Sequence, residues 1–117
     1  MTQLKTLKRE LNLSIIIPTL NEAKNLPLLL SDLAEIREQS EIIIIDSNSE
    51  DATKDISNIY GAAYHNIKES NRGLQLNTGA KKAQGNWLLF LHADSRLNRN
   101  WSEEISQIIS RYRNSIY

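Results

Sequence analysis

The sequence predicts an α/β fold, doubly wound around a mostly parallel sheet, and three observations predict it. Short, largely apolar runs stand at residues 13–17, 42–45 and 87–91. Runs of this length and composition read as strands buried on both faces between layers of helices. Segments with a helical repeat of apolar residues separate them, and such alternation favours parallel strands joined by crossovers. Each run then passes into polar residues: Pro18-Thr19-Leu20-Asn21-Glu22, Asp46-Ser47-Asn48-Ser49 and His92-Ala93-Asp94.

Residues 1–12 are polar, carry Lys5, Lys8 and Arg9, and read as a flexible lead-in to one domain at 13–117. The first strand covers about 13–17. A helix begins near Pro27, which is tolerated only in a first turn. It carries Leu26, Leu29, Leu30, Leu33 and Ile36 at helical spacing and ends near Gln39. The second strand covers about 41–46. Ser49 reads as the N-cap of the next helix, with Glu50 and Asp51 in a first turn where the dipole favours anions. Ala52, Ile56, Ile59 and Tyr60 form its buried stripe, and Gly61 ends it.

Residues 62–67 form a short third strand, and a polar loop spans 68–71. A third helix runs over about 72–84. It carries Leu76, Gly79, Ala80 and Ala83 on one face, small enough for close approach to the sheet. Gly85 stops it and Trp87 opens the fourth strand. The last helix presents Trp101, Ile105, Ile108, Ile109 and Tyr112. No fifth strand follows, so a fourth strand lying beside the first has an open apolar edge, which is an association liability. The expectation is a chain that is the front portion of a longer domain, or an edge that pairs copies into a homo-oligomer.

The 117 residues suffice for one cored domain. Lys+Arg and Asp+Glu both number 14, which gives no electrostatic grip on nucleic acid or an anionic membrane. The absence of Cys removes disulfides and thiolate metal centres. The N-terminal stretch lacks the apolar core of a secretion signal. No apolar run approaches the ~20 residues of a membrane span. A cytoplasmic protein is expected.

In sheets of this kind ligands bind beyond the carboxyl ends of the strands. Asp94 then stands where a hard cation bridging diphosphate oxygens can be held. Asp46 is placed to accept the imide proton of a uracil-like base, or simply to solvate a strand end. An Asp ending a strand also suits a phosphoacceptor receiver. Such a domain needs acids directly after the first strand and a Lys after a late strand, and neither is in place here.

Four segments carry a resemblance. They are Ser14-Ile15-Ile16-Ile17-Pro18-Thr19-Leu20-Asn21-Glu22, Ile45-Asp46-Ser47-Asn48-Ser49-Glu50-Asp51-Ala52-Thr53, Arg72-Gly73-Leu74-Gln75-Leu76-Asn77-Thr78-Gly79-Ala80 and Leu89-Phe90-Leu91-His92-Ala93-Asp94. In order and spacing they resemble the nucleotide-sugar-binding half of family 2 glycosyltransferases, which have the Rossmann-like GT-A fold, across residues 13–110. The resemblance implies a nucleoside diphosphate sugar as donor, an acceptor it does not name, and a divalent metal, Mn or Mg. It places Pro18, Thr19, Asn21 and Glu22 against the nucleoside, Asp46 at the base and Arg72 near the diphosphate. His92, Ala93 and Asp94 match the Asp-x-Asp element that binds metal and phosphate.

The chain departs from the family pattern twice. Ser47 stands where a second acid often follows the second strand, and His92 replaces the first acid of Asp-x-Asp. Asp94 is therefore the expected direct metal ligand. His92 is either a second ligand, one that suits Mn²⁺ better than Mg²⁺, or a donor to ribose or phosphate. The resemblance puts the general base on a carboxylate beyond this element, in a second half of the domain that residues up to Tyr117 do not reach. The expected function is sugar transfer from the nucleotide to an acceptor. The alternative is a non-catalytic donor-binding or assembly remnant.

Overall fold

The computed structural model describes residues 12–115, and side chains as far as Tyr112. The expected lead-in thus lies, apart from Asn12, outside the described residues. The strands are β1 (Leu13–Thr19), β2 (Ser40–Asp46), β3 (Ala63–Asn66) and β4 (Trp87–Phe90). The helices are α1 (Leu26–Asp32), α2 (Thr53–Ile59), α3 (Arg72–Lys82) and α4 (Trp101–Ser115), with a 3-10 turn over Leu33–Ile36 extending α1. The sheet order is β3-β2-β1-β4 and every neighbouring pair is parallel. The expected α/β fold is therefore the observed one.

The isoleucine-rich strands take the centre because both of their faces can be buried. Ile15, Ile17, Ile42 and Ile44 join one core with Leu26, Leu29, Leu30, Leu33 and Ile36. Ile56 and Tyr60 pack against the same core, as do Trp101 and Ile105 of α4. Ile16, Ile43 and Ile45 project to the other face, where Leu76, Ala80 and Ala83 pack. So α1 and α2 lie on one face and carry the chain from β1 through β2 to β3. Helix α3 lies on the opposite face and carries it back past β1 to β4. Opposite travel on opposite faces keeps the crossovers right-handed. The order reverses beside β1, and in such sheets the gap beyond the tips there is where ligands collect.

Gly79 sets how closely α3 approaches the sheet. A Cβ built on it would lie 2.4 Å from Ile16 Cγ2 and 3.3 Å from Ile45 Cγ1. Both isoleucines are fully buried and cannot swing away. Gly79→Ala is expected to destabilise by about 1–3 kcal/mol through overpacking, read as a lowered urea midpoint with unchanged slope. An unchanged midpoint would mean that α3 can lift from the sheet freely. Gly61, at φ 79°, takes the left-handed position that ends α2.

Four expectations are corrected. Strand β4 is not buried on both faces: Leu88 and Phe90 are 41% and 46% exposed. Helix α3 covers β1 and β2 but not this edge strand, and among the described residues no strand flanks its outer side. Helix α2 begins at Thr53 rather than after Ser49, and its cap position, Ala52, makes no side-chain capping bond. Ala52 and Ile59, expected in the buried stripe of α2, are exposed, Ile59 at 78%, and Thr53 and Ser57 are buried instead. Their hydroxyls are satisfied locally: Thr53 bonds Asp51 and the Glu22 amide, and Ser57 donates to the Thr53 carbonyl. Finally, Ile108 and Tyr112 of α4 are exposed while Ile109 is buried, because the helix meets the core along a narrower stripe than its apolar positions suggest.

Helix α4 and the segment before it are held by Asp32, at the end of α1. Its carboxylate accepts two bonds from Arg96, at 2.9 and 3.1 Å, and one from the Leu97 amide at 3.0 Å. Its carbonyl accepts from Trp101 Nε1 at 3.0 Å. The Arg96 bonds, working against desolvation, hold the Asp32 carboxyl below its ordinary 3.8. A lowered folded-state value means that the contribution is present above pH 3.8 and fades as acid protonates Asp32 below it. Arg96 is largely exposed, so the effect is small. Asp32→Asn should therefore lower stability at neutral pH and flatten the acid limb of the unfolding profile. Parallel acid limbs in the two proteins would count against the pair.

Candidate functional site

The carboxyl ends of the strands are tied together by a buried carboxylate. Asp46 closes β2 and is 0% exposed. Its Oδ1 accepts from the Thr19 hydroxyl at 2.5 Å and the Ser49 hydroxyl at 2.6 Å. Its Oδ2 accepts from the Ser49 amide at 3.0 Å and the Tyr64 hydroxyl at 2.6 Å. One side chain thus joins the tip of β1, the turn after β2 and strand β3. A buried carboxylate persists only with such a set of donors. Burial, together with the bond to Asp46, pushes the Tyr64 hydroxyl well above its ordinary value.

The loops after β1 and β2 are laced to each other above this carboxylate. Asn21, at φ 53°, donates its amide to Ser49 Oγ at 2.7 Å and accepts from the Glu50 amide at 2.9 Å. The Glu22 amide donates to Thr53 Oγ1, and the Ala23 amide to Asp51 Oδ2, both at 3.0 Å. Asp51, expected only as a first-turn acid, is thus a bridge between loops. Desolvation would raise its pKa, but the bonds from Thr53 and Ala23 outweigh it and leave the carboxyl below its ordinary value.

Helix α3 is fastened to the same edge by a residue that the sequence reading passed over. Gln75 is buried, and its Nε2 donates to the carbonyls of Thr19 at 3.0 Å and Ile45 at 2.9 Å. It therefore bridges the ends of β1 and β2 and fixes the turn of α3 that begins with Arg72. The signal in the sequence is its place four residues before Gly79: a polar side chain on the face that meets the sheet, where only strand-end carbonyls await it. Asn71 caps the helix by accepting from the Leu74 amide at 3.0 Å.

Across the gap, the triplet after β4 is oriented by its middle residue. Ala93 is 3% exposed and sits in the main core, while His92 and Asp94 on either side are exposed. Burying the small side chain turns both polar neighbours to solvent. Arg72 Nη1 lies 2.8 Å from His92 Nδ1, so α3 and the triplet meet at the rim.

The predicted residues thus fall into groups. Thr19 and Asp46 are bonded to each other inside, and Pro18 is buried beside them. Asn21 is exposed and Glu22 half-buried in the laced loops. Arg72 and His92 form an exposed pair, and Asp94 is exposed beyond them. The Asp46 carboxylate faces inward, so a base contact through it has no open path in this arrangement. Ala93 is buried in the core, so its side chain supports the triplet from beneath rather than meeting a ligand. Among the described residues no three His, Cys, Asp or Glu side chains cluster as a cation cage. Divalent Mg- or Mn-type ions accept one or two carboxylates when phosphate oxygens and water complete the shell. The donor set at Asp94 fits a cation shared with a bound phosphate, and not one held by protein alone.

Residues 14–117 match the model of glycosyl transferase family 2. The chain belongs to that family. A PGL/p-HBAD biosynthesis glycosyltransferase of Mycobacterium bovis is 40% identical over 91 residues, which are 72% of this chain and 36% of that protein. The crystal structure of S. aureus TarS 1-349 in complex with UDP superposes with a TM-score of 0.77 at 25% identity, over 85% of this chain and 32% of that one. A mannosyltransferase from Pyrobaculum calidifontis, solved with GDP-Man and Mn2+, gives a TM-score of 0.70 at 22% identity, over 84% of this chain and 31% of that one. This family 2 chain therefore spans about a third of the length of the proteins it matches. Among the described residues no helix is long and apolar enough to cross a membrane.

Proposed function

We propose that this family 2 chain binds a nucleoside diphosphate sugar at the rim between β1 and β4, as part of a protein that transfers the sugar to an acceptor. The meeting of Arg72 with the triplet ending in Asp94, at the sheet's switch point, carries the reading. A leaving diphosphate gains charge as its bond to the sugar breaks, and a guanidinium or a cation beside it lowers that barrier. The UDP complex of TarS and the GDP-Man and Mn2+ complex of the Pyrobaculum enzyme support a donor of this class and a divalent ion. In this reading Asp94 is the protein's ligand to Mn or Mg, with diphosphate oxygens completing the shell. Asn21 and Glu22 flank the nucleoside, and the buried Pro18, Thr19 and Ala93 support the rim from beneath. Asp46 acts on the base indirectly, by holding the loops that receive it.

Calorimetry with UDP, GDP and their sugars, with and without Mn2+, tests this. Binding is expected to tighten when Mn2+ is added. Asp94→Ala should weaken the Mn2+-supported binding about tenfold or more and leave the metal-free binding unchanged. Absence of binding to every nucleotide, or equal losses with and without metal, would sink the proposal.

A further inference from the structure

Asp94 lies in a short turn that is held at both ends. Residues 91–100 form neither helix nor strand. The Leu91 amide donates to the Ile16 carbonyl at 3.0 Å, which carries the pairing of β4 with β1 one step further. The Ser95 amide donates to the His92 carbonyl at 3.0 Å and closes the turn around Ala93 and Asp94. Before Asp94 the anchors are therefore the sheet and the buried Ala93. After it the chain is held from α1. The Asp32 carboxylate accepts two bonds from Arg96 and one from the Leu97 amide, and Leu97 packs on the core. Several donors on one carboxylate fix direction as well as distance. Asp32 is the better-held partner, with a side chain 15% exposed against 59% for Arg96.

The same helix starts at the other loop of the rim. The Glu22 carbonyl accepts from the Asn25 and Leu26 amides at 3.1 and 2.8 Å. Leu26, Leu29 and Leu30 then bury α1 in the core. Asp32 stands about 9 Å further along the axis. Helix α1 thus links the loop carrying Asn21 and Glu22 to the turn carrying Asp94.

We infer that Asp32 is a positioning residue: through Arg96 and the Leu97 amide it holds the turn so that Asp94 is presented at one place on the rim. This rests on the reading of Asp94 as the ligand of a cation shared with a bound diphosphate. Asp32 itself touches neither ion nor nucleotide. An exposed carboxylate loses freedom when it takes an ion, and loses less when its backbone is already fixed. A small divalent ion also tolerates little misplacement, because its shell is close to octahedral with oxygens at about 2.1 Å. Residues behind a ligand that orient it therefore matter to the ion's affinity.

Two measurements test it. The first is backbone nitrogen relaxation of the ligand-free chain. In Asp32→Ala the order parameters of residues 94–96 should fall from about 0.85 toward about 0.6, while those of residues 88–90 stay. Unchanged order at 94–96 overturns the inference. The second is calorimetry with UDP, in Mn2+ and in EDTA, below the unfolding midpoint. The tightening that Mn2+ gives should shrink about tenfold in Asp32→Ala and about threefold in Arg96→Ala, which keeps the Leu97 bond. The affinity in EDTA should not change in either. Arg96 is largely exposed, so Arg96→Ala is expected to fold. Adding Asp32→Ala to Asp94→Ala should weaken Mn2+-supported binding no further, because both act on one ligand. Equal losses with and without Mn2+, or a full extra loss in the double variant, overturn the positioning role. If Asp94→Ala removes the Mn2+ effect while Asp32→Ala and Arg96→Ala both keep it, the inference falls and the nucleotide reading stands. A parent chain whose UDP binding ignores Mn2+ overturns the reading of Asp94 and the inference with it.

Discussion

Asp46→Ala is expected to cost about 3–5 kcal/mol of stability, the largest effect of any single change at the rim. The substitution removes the acceptor of four bonds and leaves the hydroxyls of Thr19 and Tyr64 facing a space they cannot fill. A domain of this size has only about 5–15 kcal/mol in hand, so the urea midpoint should fall toward its lower limit. Asp46→Asn should also destabilise, because an amide N–H in place of either carboxylate oxygen would face two groups that now donate there. A loss below about 1 kcal/mol for Asp46→Ala would mean that the strand tips do not depend on this carboxylate. Tyr64 adds a pH signature. Its raised folded-state pKa means that its contribution is whole below pH 10.0 and declines as pH rises above it. Tyr64→Phe should accordingly flatten the alkaline limb of the stability profile.

Gln75→Ala is the second large effect, expected at about 2–4 kcal/mol, from two lost bonds to buried carbonyls and the cavity left behind. Gln75→Glu should be no better tolerated, since a carboxylate there would face the carbonyl oxygens of Thr19 and Ile45 without a hydrogen to offer. The functional consequence separates Gln75 from an ordinary core residue. It holds the first turn of α3 against the tips of β1 and β2, so its loss should also loosen Arg72. Nucleotide binding by the folded fraction should weaken about tenfold, measured by calorimetry below the unfolding midpoint. Binding that stays at parental affinity would confine Gln75 to a purely structural role.

Much of this architecture was legible in the chain. Isoleucine runs bounded by polar turns could bury both faces only as inner strands, and the small residues Gly79, Ala80 and Ala83 marked the helix that lies closest to the sheet. The first run of polar residues after each strand marked the rim. The burial of particular side chains was less legible. Strand β4 is as apolar as β2, yet it lies at an edge, and its second face is left uncovered because α3 serves β1 and β2. Ile59 is exposed while Ser57 is buried because the direction in which α2 lies over the sheet, and not its hydropathy, decides which side meets the core.

The functional side chains divide in the same way. Local pattern was enough to mark the His92-Ala93-Asp94 triplet, since a strand end is a local feature, whereas Arg72 was marked by the family resemblance of its segment. Whether Asp46 faces a ligand or the interior depends on Tyr64 and Thr19, which stand 18 and 27 residues away in sequence. Gln75 is read as a rim residue only once the Thr19 and Ile45 carbonyls are brought to it from 56 and 30 residues away. The sequence by itself determined the layers, the strand order's parallel sense and the polar edge, because short-range periodicity sets which faces must be buried. The tertiary structure alone decided which polar groups at that edge bond one another and which are left to a ligand, because hydrogen bonds between distant segments depend on their packing and leave no periodic trace in the chain.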